Sequence, residues 1–392
     1  RGRVGAGLLF GRKAKQPEQQ ARGGPTPHLN SPAQRTPPRA ADTTPRQRQR
    51  SRASGNGAAR GIGQSPTQWT PQNGRMRDSI RTATQIACAT ALAGAAVLVA
   101  ARATSLDDGT WLAIPMAGFP YAVVGTVVVL VVLLALRSWW VAAVAAVLVV
   151  TELAWAVPRF VPDREPVPAG APRLRVATSN AHVGAVDPEA IVRLVRAERL
   201  DVLAMEELTP KAIAALDKAG MAELMPHREL HPESDSSLYS RLPLTGGGLL
   251  RGRATVWPQT TAAVKVGGRT VRLVAVHTLY PLGDARRWAR DMRELREEAV
   301  DSGRDTVFLG DFNATLDHAP MRKLLSAGLT DSHAELGRGW APTWPADASG
   351  MPSLLQLDHV LHGSGLAAVS VSEHVLRGSD HKAVVAELAL VG

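Results

Sequence analysis

Apolar positions along this chain follow two regimes. Over residues 81–157 they run almost unbroken in three blocks, 82–101, 114–136 and 139–157. After residue 172 they shorten to brief runs set between amphipathic stretches. Runs at 174–178, 202–205, 238–240, 261–266, 270–277, 306–309, 357–361, 367–371 and 383–388 predict strands. Gly267-Gly268 between two of them predicts a hairpin. Helical spacing covers 187–198, 210–218 and 284–300, with Pro188 in the first turn of the first. Strands alternating with helices, plus an added hairpin, predict an α/β domain over 173–392. Its expected form is two mixed sheets with outer helices.

Each of the three apolar blocks is near the ~20 residues that a helix needs to cross the hydrocarbon of a bilayer. Arg137 and Glu152 are the only charges between Asp108 and Arg159, which argues against a hairpin buried in a soluble domain. Arg137 falls in a turn. Glu152 lies in the third block, either close enough to its end to reach the interface or facing the bundle interior. A signal peptide fits poorly, because two further blocks follow the first. Three spans are therefore expected. A cytoplasmic basic tail, an outer loop with Asp107 and Asp108, and an inner turn at Arg137-Ser138 follow from the charges. Everything after Arg159 then lies on the extracytoplasmic face. A Pro-rich linker, 158–172, joins spans to domain. Fully extended at ~3.1 Å per residue, it reaches roughly 45 Å.

Charge sharpens this division. The chain has 392 residues, 45 of them basic and 35 acidic, a net +10. Sixteen basic residues and only Glu18, Asp42 and Asp78 fall in 1–81, leaving the remaining 311 residues at net −3. The high isoelectric point thus belongs to the tail, and gives no support to a polyanion-binding surface on the folded half. Residues 1–80, rich in Pro, Gln, Arg and Gly, are expected to be disordered. They form either a solvated tail or one drawn to anionic headgroups. Cys88 is the single cysteine, so no intrachain disulfide forms. The chain opens on Arg1 and not Met, which leaves a start upstream of it open.

The chemistry sits at the ends of the apolar runs. Gly310-Asp311-Phe312-Asn313 closes one, and Ser379-Asp380-His381 precedes another. Asn180, Glu207, His277 and Asp358 stand at comparable strand ends. Hard oxygen ligands of this kind suit Mg2+ or Mn2+. Glu207 is the best direct ligand, because a Glu seldom follows a Val-Leu-Ala-Met strand without a partner. Phosphoryl hydrolysis needs a positioned water, charge relief on the equatorial oxygens and a stabilised leaving oxygen. Asp311 suits the base that positions water, with Asn313 orienting it or the phosphate. His277 and His381 are suited to donate to phosphoryl oxygens. Asp358 is suited to fix the tautomer of His381, and Asp380 to sit near the cation, directly or through a water. Glu206, His359, His362 and His374 are expected to be structural.

These stretches resemble the endonuclease/exonuclease/phosphatase superfamily. The resemblance rests on 176–180, 201–207, Ser240-Arg241-Leu242-Pro243, 274–278, 310–313, 357–360 and 379–381, in the family's order, and covers 173–391. It implies a four-layer α/β sandwich, with Asn180 and Glu207 in the metal and phosphate site and Asp380 on the metal side. It also implies catalysis by His277, Asp311, Asn313 and the Asp358/His381 pair. Two positions depart from the pattern: His182 replaces an acid, and Glu206 replaces a Gln. Three spans joined to such a domain also resemble the actinobacterial teicoplanin-resistance membrane phosphatases. That resemblance implies an extracytoplasmic hydrolase of a lipid-linked diphosphate, the undecaprenyl carrier. Another small phosphoester or phospholipid, nucleic acid, and an inactive membrane-anchored binding protein are the competing expectations.

Overall fold

The computed structural model describes residues 71–163, 167–250, 257–346 and 351–392. Most of the expected disordered tail lies outside the described residues, but its last ten residues are helical. They open α1 (Pro71–Thr104). The second apolar block is broken into α2 (Ala113–Met116) and α3 (Phe119–Ala135). Pro115 and Pro120 explain the break, since neither has an N–H to carry a helix through, and Pro120 sits in the first turn of α3. The third block forms α4 (Trp139–Ala156), extended by a 3-10 turn at Val157–Phe160.

The expectation of three full spans is met in part. Two helical stretches are long and apolar enough to cross a membrane, Arg75–Thr104 and Trp139–Phe160. The 17 residues of α3 fall short, reaching about 26 Å at 1.5 Å per residue against a hydrocarbon core of about 30 Å. The three helices pack on one another around Cys88, Leu92, Leu133, Ala142 and Ala145. Glu152 is fully buried among them and accepts from Thr126 Oγ1 at 3.1 Å, so it faces the bundle interior. Their outer faces expose valines and tryptophans, Trp140 by 90%.

The C-terminal domain is an α/β sandwich of two six-stranded mixed sheets. Its strands are β1 (Arg173–Asn180), β2 (Val202–Glu206), β3 (His227–His231), β4 (Ser236–Ser240), β5 (Thr245–Leu249) and β6 (Thr260–Val266). They continue with β7 (Arg269–His277), β8 (Thr306–Asp311), β9 (Leu329–Asp331), β10 (Asp358–Gly363), β11 (Leu366–Val375) and β12 (Lys382–Leu390). One sheet runs β11-β12-β1-β2-β4-β3, the other β5-β6-β7-β8-β10-β9. Strand alternation sends Val176, Val202, Ala204, Leu273, Leu309 and Val360 into the layer between the sheets. The opposite faces take helices. α5 (Pro188–Glu198), α6 (Pro210–Lys218) and α7 (Met221–Leu224) cover Leu203 and Met205. α8 (Pro281–Ser302) and α9 (Ala319–Leu325) cover Val274, Val276 and Phe308. A single turn, α10 (Ser332–Glu335), follows β9.

Helices and domain are in direct contact. Ala319 N–H donates to Asp107 Oδ2 at 2.6 Å, and Lys323 Nζ to Asp108 Oδ2 at 2.5 Å. Arg159, in the first part of the linker, forms a two-pronged bond to Asp317 at 3.0 and 2.8 Å. Asp163 N–H donates to Glu335 O at 3.0 Å. The stretch 158–163 is thus seated on the domain and is not an extended tether.

Parallel pairing sets β7 against β8 so that Val276 faces Gly310 and His277 faces Asp311. Gly310 has φ +153°, and a Cβ there would lie 1.9 Å from Val276 O. Gly310→Ala is expected to cost about 2 kcal/mol or more from backbone strain and crowding. Thermal unfolding of the variant checks this; an unchanged midpoint would refute it.

Candidate active site

The strand ends converge on one cavity of about 470 Å³. Asp311, the last residue of β8, is its floor and is 1% exposed. Asn313, held at φ +47°, turns its N–H back to Asp311 Oδ1 at 2.9 Å and donates Nδ2 to Thr278 O at 3.0 Å. That leaves Asp311 Oδ2 for the cavity. It receives Asn180 Nδ2 at 3.3 Å and lies 3.8 Å from both His277 Nε2 and His381 Nε2.

Each histidine has its own acid behind it. His381 Nδ1 donates to Asp358 Oδ2 at 2.8 Å, which turns Nε2 toward Asp311. His277 Nδ1 lies 3.0 Å from Asp235 Oδ2, an ion pair by distance without hydrogen-bond alignment. Burial disfavours the imidazolium of His381, but Asp358 and Asp311 outweigh it and raise the pKa to about 10. Burial likewise opposes the charge on His277, and Asp235, Asp311 and Glu207 raise it to about 9. Burial pushes the Asp311 carboxyl up, while His381 holds it back. A divalent cation among these acids would draw both imidazole values down, because it competes for the same negative charge.

Glu207 follows β2 at φ +55°. Its Oε1 accepts from Asn180 Nδ2 at 3.0 Å and its Oε2 from Val183 N–H at 2.9 Å. Asn180 therefore presents its amide nitrogen to both carboxylates, and its oxygen accepts from His182 N–H at 2.8 Å. Glu206 points the other way, into the layer between the sheets, and accepts from Thr178 Oγ1 at 2.9 Å. Burial pushes its carboxyl well above the ordinary range, and Asp358 and Asp311 add to the shift.

Of the eight residues singled out in the sequence, seven form this network. Asp380 stands apart on the rim, with Oδ2 accepting from Trp344 Nε1 at 3.3 Å and Oδ1 3.7 Å from His182 Nδ1. Three neighbours of His277 escaped the sequence reading. Asp235 precedes β4, which begins at Ser236 and not at 238, so this acid is also at a strand end. Gln259 clamps the His277 backbone, accepting its N–H at 2.7 Å and donating to its carbonyl at 3.0 Å. Trp257 stacks on the imidazole with centroids 5.1 Å apart.

The donor set suits a divalent cation. Asp311, Asp358 and His381 form a buried cluster whose ligand atoms lie within 4.8 Å of one another, and Asp358 Oδ1 is buried with no partner. Glu207 adds a partly exposed carboxylate at the cavity wall. Among the described lining residues there is no Lys or Arg.

The model of the Endonuclease/Exonuclease/phosphatase family matches residues 177–381. The chain belongs to that family. Its members hydrolyse phosphoester bonds and generally depend on a divalent metal. Among curated proteins none matches the chain. Similar solved structures include D. rerio TDP2 complexed with a single-strand DNA product, at 15% identity and TM-score 0.45, covering 55% of this chain and 98% of that one. Bacteroides thetaiotaomicron mannosyl-6-phosphatase is 15% identical with TM-score 0.43, over 55% and 100% of the two chains. Streptomyces griseocarneus sphingomyelinase C is 16% identical with TM-score 0.39, over 55% and 99%.

The three histidines expected to be structural are held elsewhere. His359 is fully buried, pairing through Nδ1 with Asp331 Oδ2 at 2.9 Å and through Nε2 with Ala314 O at 2.9 Å. His362 pairs with Glu335 Oε2 at 2.7 Å, and His374 lies on β11 beside Ser372. Burial opposes the Asp331 charge, but His359 overcomes it and the carboxyl is pulled down to about 2. His359→Ala should leave that buried carboxylate without its cationic partner, with Ala334 N–H still bonded to it, at a cost of about 3–5 kcal/mol. The Asp331 contribution is fully present above its ordinary pKa of 3.8 and lost as pH falls through about 2. Denaturant unfolding at neutral and acid pH checks both; a variant as stable as wild type would refute the pairing.

Proposed function

We propose that this protein is a membrane-anchored, divalent-metal-dependent phosphoester or pyrophosphate hydrolase. The supporting observation is the cavity itself: it gathers Glu207, Asp235 and Asp311 with two imidazoles, yet none of its described lining residues is Lys or Arg. An anionic phosphate entering such a site needs a counter-charge, and Mg2+ or Mn2+ fits the hard oxygens of Glu207, with Asn180 beside it. When bound, the cation supplies charge relief to the phosphoryl oxygens.

The residues divide the remaining work. Asp311 Oδ2 orients the attacking water and takes its proton, while Asn313 N–H fixes Oδ1 and keeps the carboxylate in place. His381, held by Asp358, donates through Nε2 to the phosphoryl group. His277, backed by Asp235, is the second donor. Asp380 stays a candidate for the metal side only through a water, given its place on the rim.

A lipid-linked diphosphate, such as the undecaprenyl carrier, is the preferred substrate. Three contacts join the helices to the site's rim: Tyr121 Oη on α3 donates to Leu354 O at 2.7 Å, Leu354 N–H to Trp344 O at 2.7 Å, and Trp344 Nε1 to Asp380. The cavity lining also carries exposed apolar groups, Val183 and Tyr280. Both observations favour a substrate whose phosphate is delivered from a bilayer over free nucleic acid. α3 packs against α1 and α4, and we take it to cross with them despite its length. The ends of α1 and α4 contact the catalytic domain, whereas the Arg137-Ser138 turn lies at the far end of α3 and α4. With the basic tail cytoplasmic, the domain then faces outward.

The full chain in lipid nanodiscs is expected to release phosphate from undecaprenyl diphosphate faster than it cleaves sphingomyelin or nicked DNA. A chelator should stop the reaction. Asp311→Ala should lower turnover by at least about 10²-fold without unfolding the protein. Equal rates for variant and wild type would remove Asp311 from the mechanism, and faster DNA cleavage would favour the nuclease reading. A reporter active only outside the cytoplasm, fused after Gly392, should be active; a silent one with full expression overturns the orientation.

A further inference from the structure

A second cavity, of about 330 Å³, lies where the helices meet the domain. Three arginines from separate elements line it. Arg102 comes from the last turn of α1, Arg159 from the 3-10 turn after α4, and Arg322 from α9. Arg102 is 6% exposed and Arg159 13%. They share one carboxylate, Asp317, which accepts both prongs of Arg159 and lies 3.5 Å from Arg102. Arg322 spends Nη2 on the Arg102 carbonyl at 2.9 Å.

The other nearby acids do not close the balance. Asp107 gives Oδ2 to Ala319 N–H, and its Oδ1 is buried without a partner outside the cavity lining. Asp331 lines the cavity but is committed to His359 and to Ala334 N–H. Three guanidiniums therefore face Asp317 and Asp107, an excess of one positive charge. The Nε–H groups of Arg102 and Arg322 are both buried and bond to nothing. Arg102 cannot turn away to find water, since its guanidinium packs against the rings of Trp155 at 4.9 Å and Phe119 at 5.3 Å. Leaving charged donors buried and unpaired is costly, and a planar fork of N–H groups matches phosphate oxygens.

We propose that this cavity binds a phosphate group, separate from the catalytic cavity, and that a bound phosphate ties α1, the end of α4 and α9 together. The phosphate of a phospholipid headgroup and a free phosphate ion offer the same acceptor chemistry. The position of the cavity at the ends of the apolar helices favours the headgroup.

The test is thermal unfolding of the full chain in detergent, titrated with short-chain phosphatidylglycerol or with inorganic phosphate. A saturable rise in the midpoint with phosphatidylglycerol is expected. Arg322→Gln should weaken the apparent affinity about tenfold or more, the loss of one charge-assisted bond. Should that variant not fold, Arg322→Lys keeps the charge, loses the fork and should weaken binding severalfold. Asp311→Ala, in the other cavity, should leave the shift intact, which separates this site from the catalytic one. Saturation by inorganic phosphate at equal concentration would uphold the anion site and assign it to the free ion. No saturable rise with either probe, or the same affinity in the Arg322 variant, overturns the proposal.

Discussion

A carboxylate buried as deeply as that of Asp311 is tolerable only where opposite charge and hydrogen-bond donors surround it. Most of the site follows from that requirement. Two imidazoles lie 3.8 Å from its free oxygen, each backed by an acid that holds it charged, and an amide from the other sheet completes the set. Acids and histidines alternate outward from Asp311. No member is neutralised by a single partner, so the network keeps unspent negative charge, and a cation would complete it.

Much of this was legible in the chain because the chemistry stands at the ends of apolar strands. A strand that is buried on both faces announces itself by its composition, and its first polar residue marks the rim. Asn180, Glu207, His277, Asp311 and Asp358 were all readable in that way. Elements without a full apolar face were not. β3 is His-Arg-Glu-Leu-His, an edge strand with little to bury, and β5 is rich in glycine. β9 has only three residues. Reading β4 as starting at its apolar part left Asp235 in a loop, when its backbone carbonyl in fact receives the Glu207 N–H at 3.2 Å. Asp380 sits on the rim, in the bend before β12, while its neighbour His381 turns inward to Asp358. Apolar composition also hid the prolines that break the second helical block.

The N-terminal helices and the C-terminal domain are joined by more than the chain between them. Asp107 and Asp108 after α1, and Arg159 after α4, are each matched by a group on the catalytic domain. The linker, which as a free chain would allow the domain to swing, begins by packing against it. The orientation of the cavity is consequently fixed relative to the helices, and the distance between them is a property of the fold.

Gly310 carries no chemistry, yet it governs the spacing of groups that do. The backbones of β7 and β8 approach closely only because it has no side chain, and the next rung of the same ladder is His277 facing Asp311. A methyl group there would wedge the strands apart and separate acid from imidazole, leaving every reactive side chain present. A lesion at this glycine would look, to an assay, like damage to the chemistry itself. Natural variation at such a position would silence the protein without touching any residue that carries chemistry.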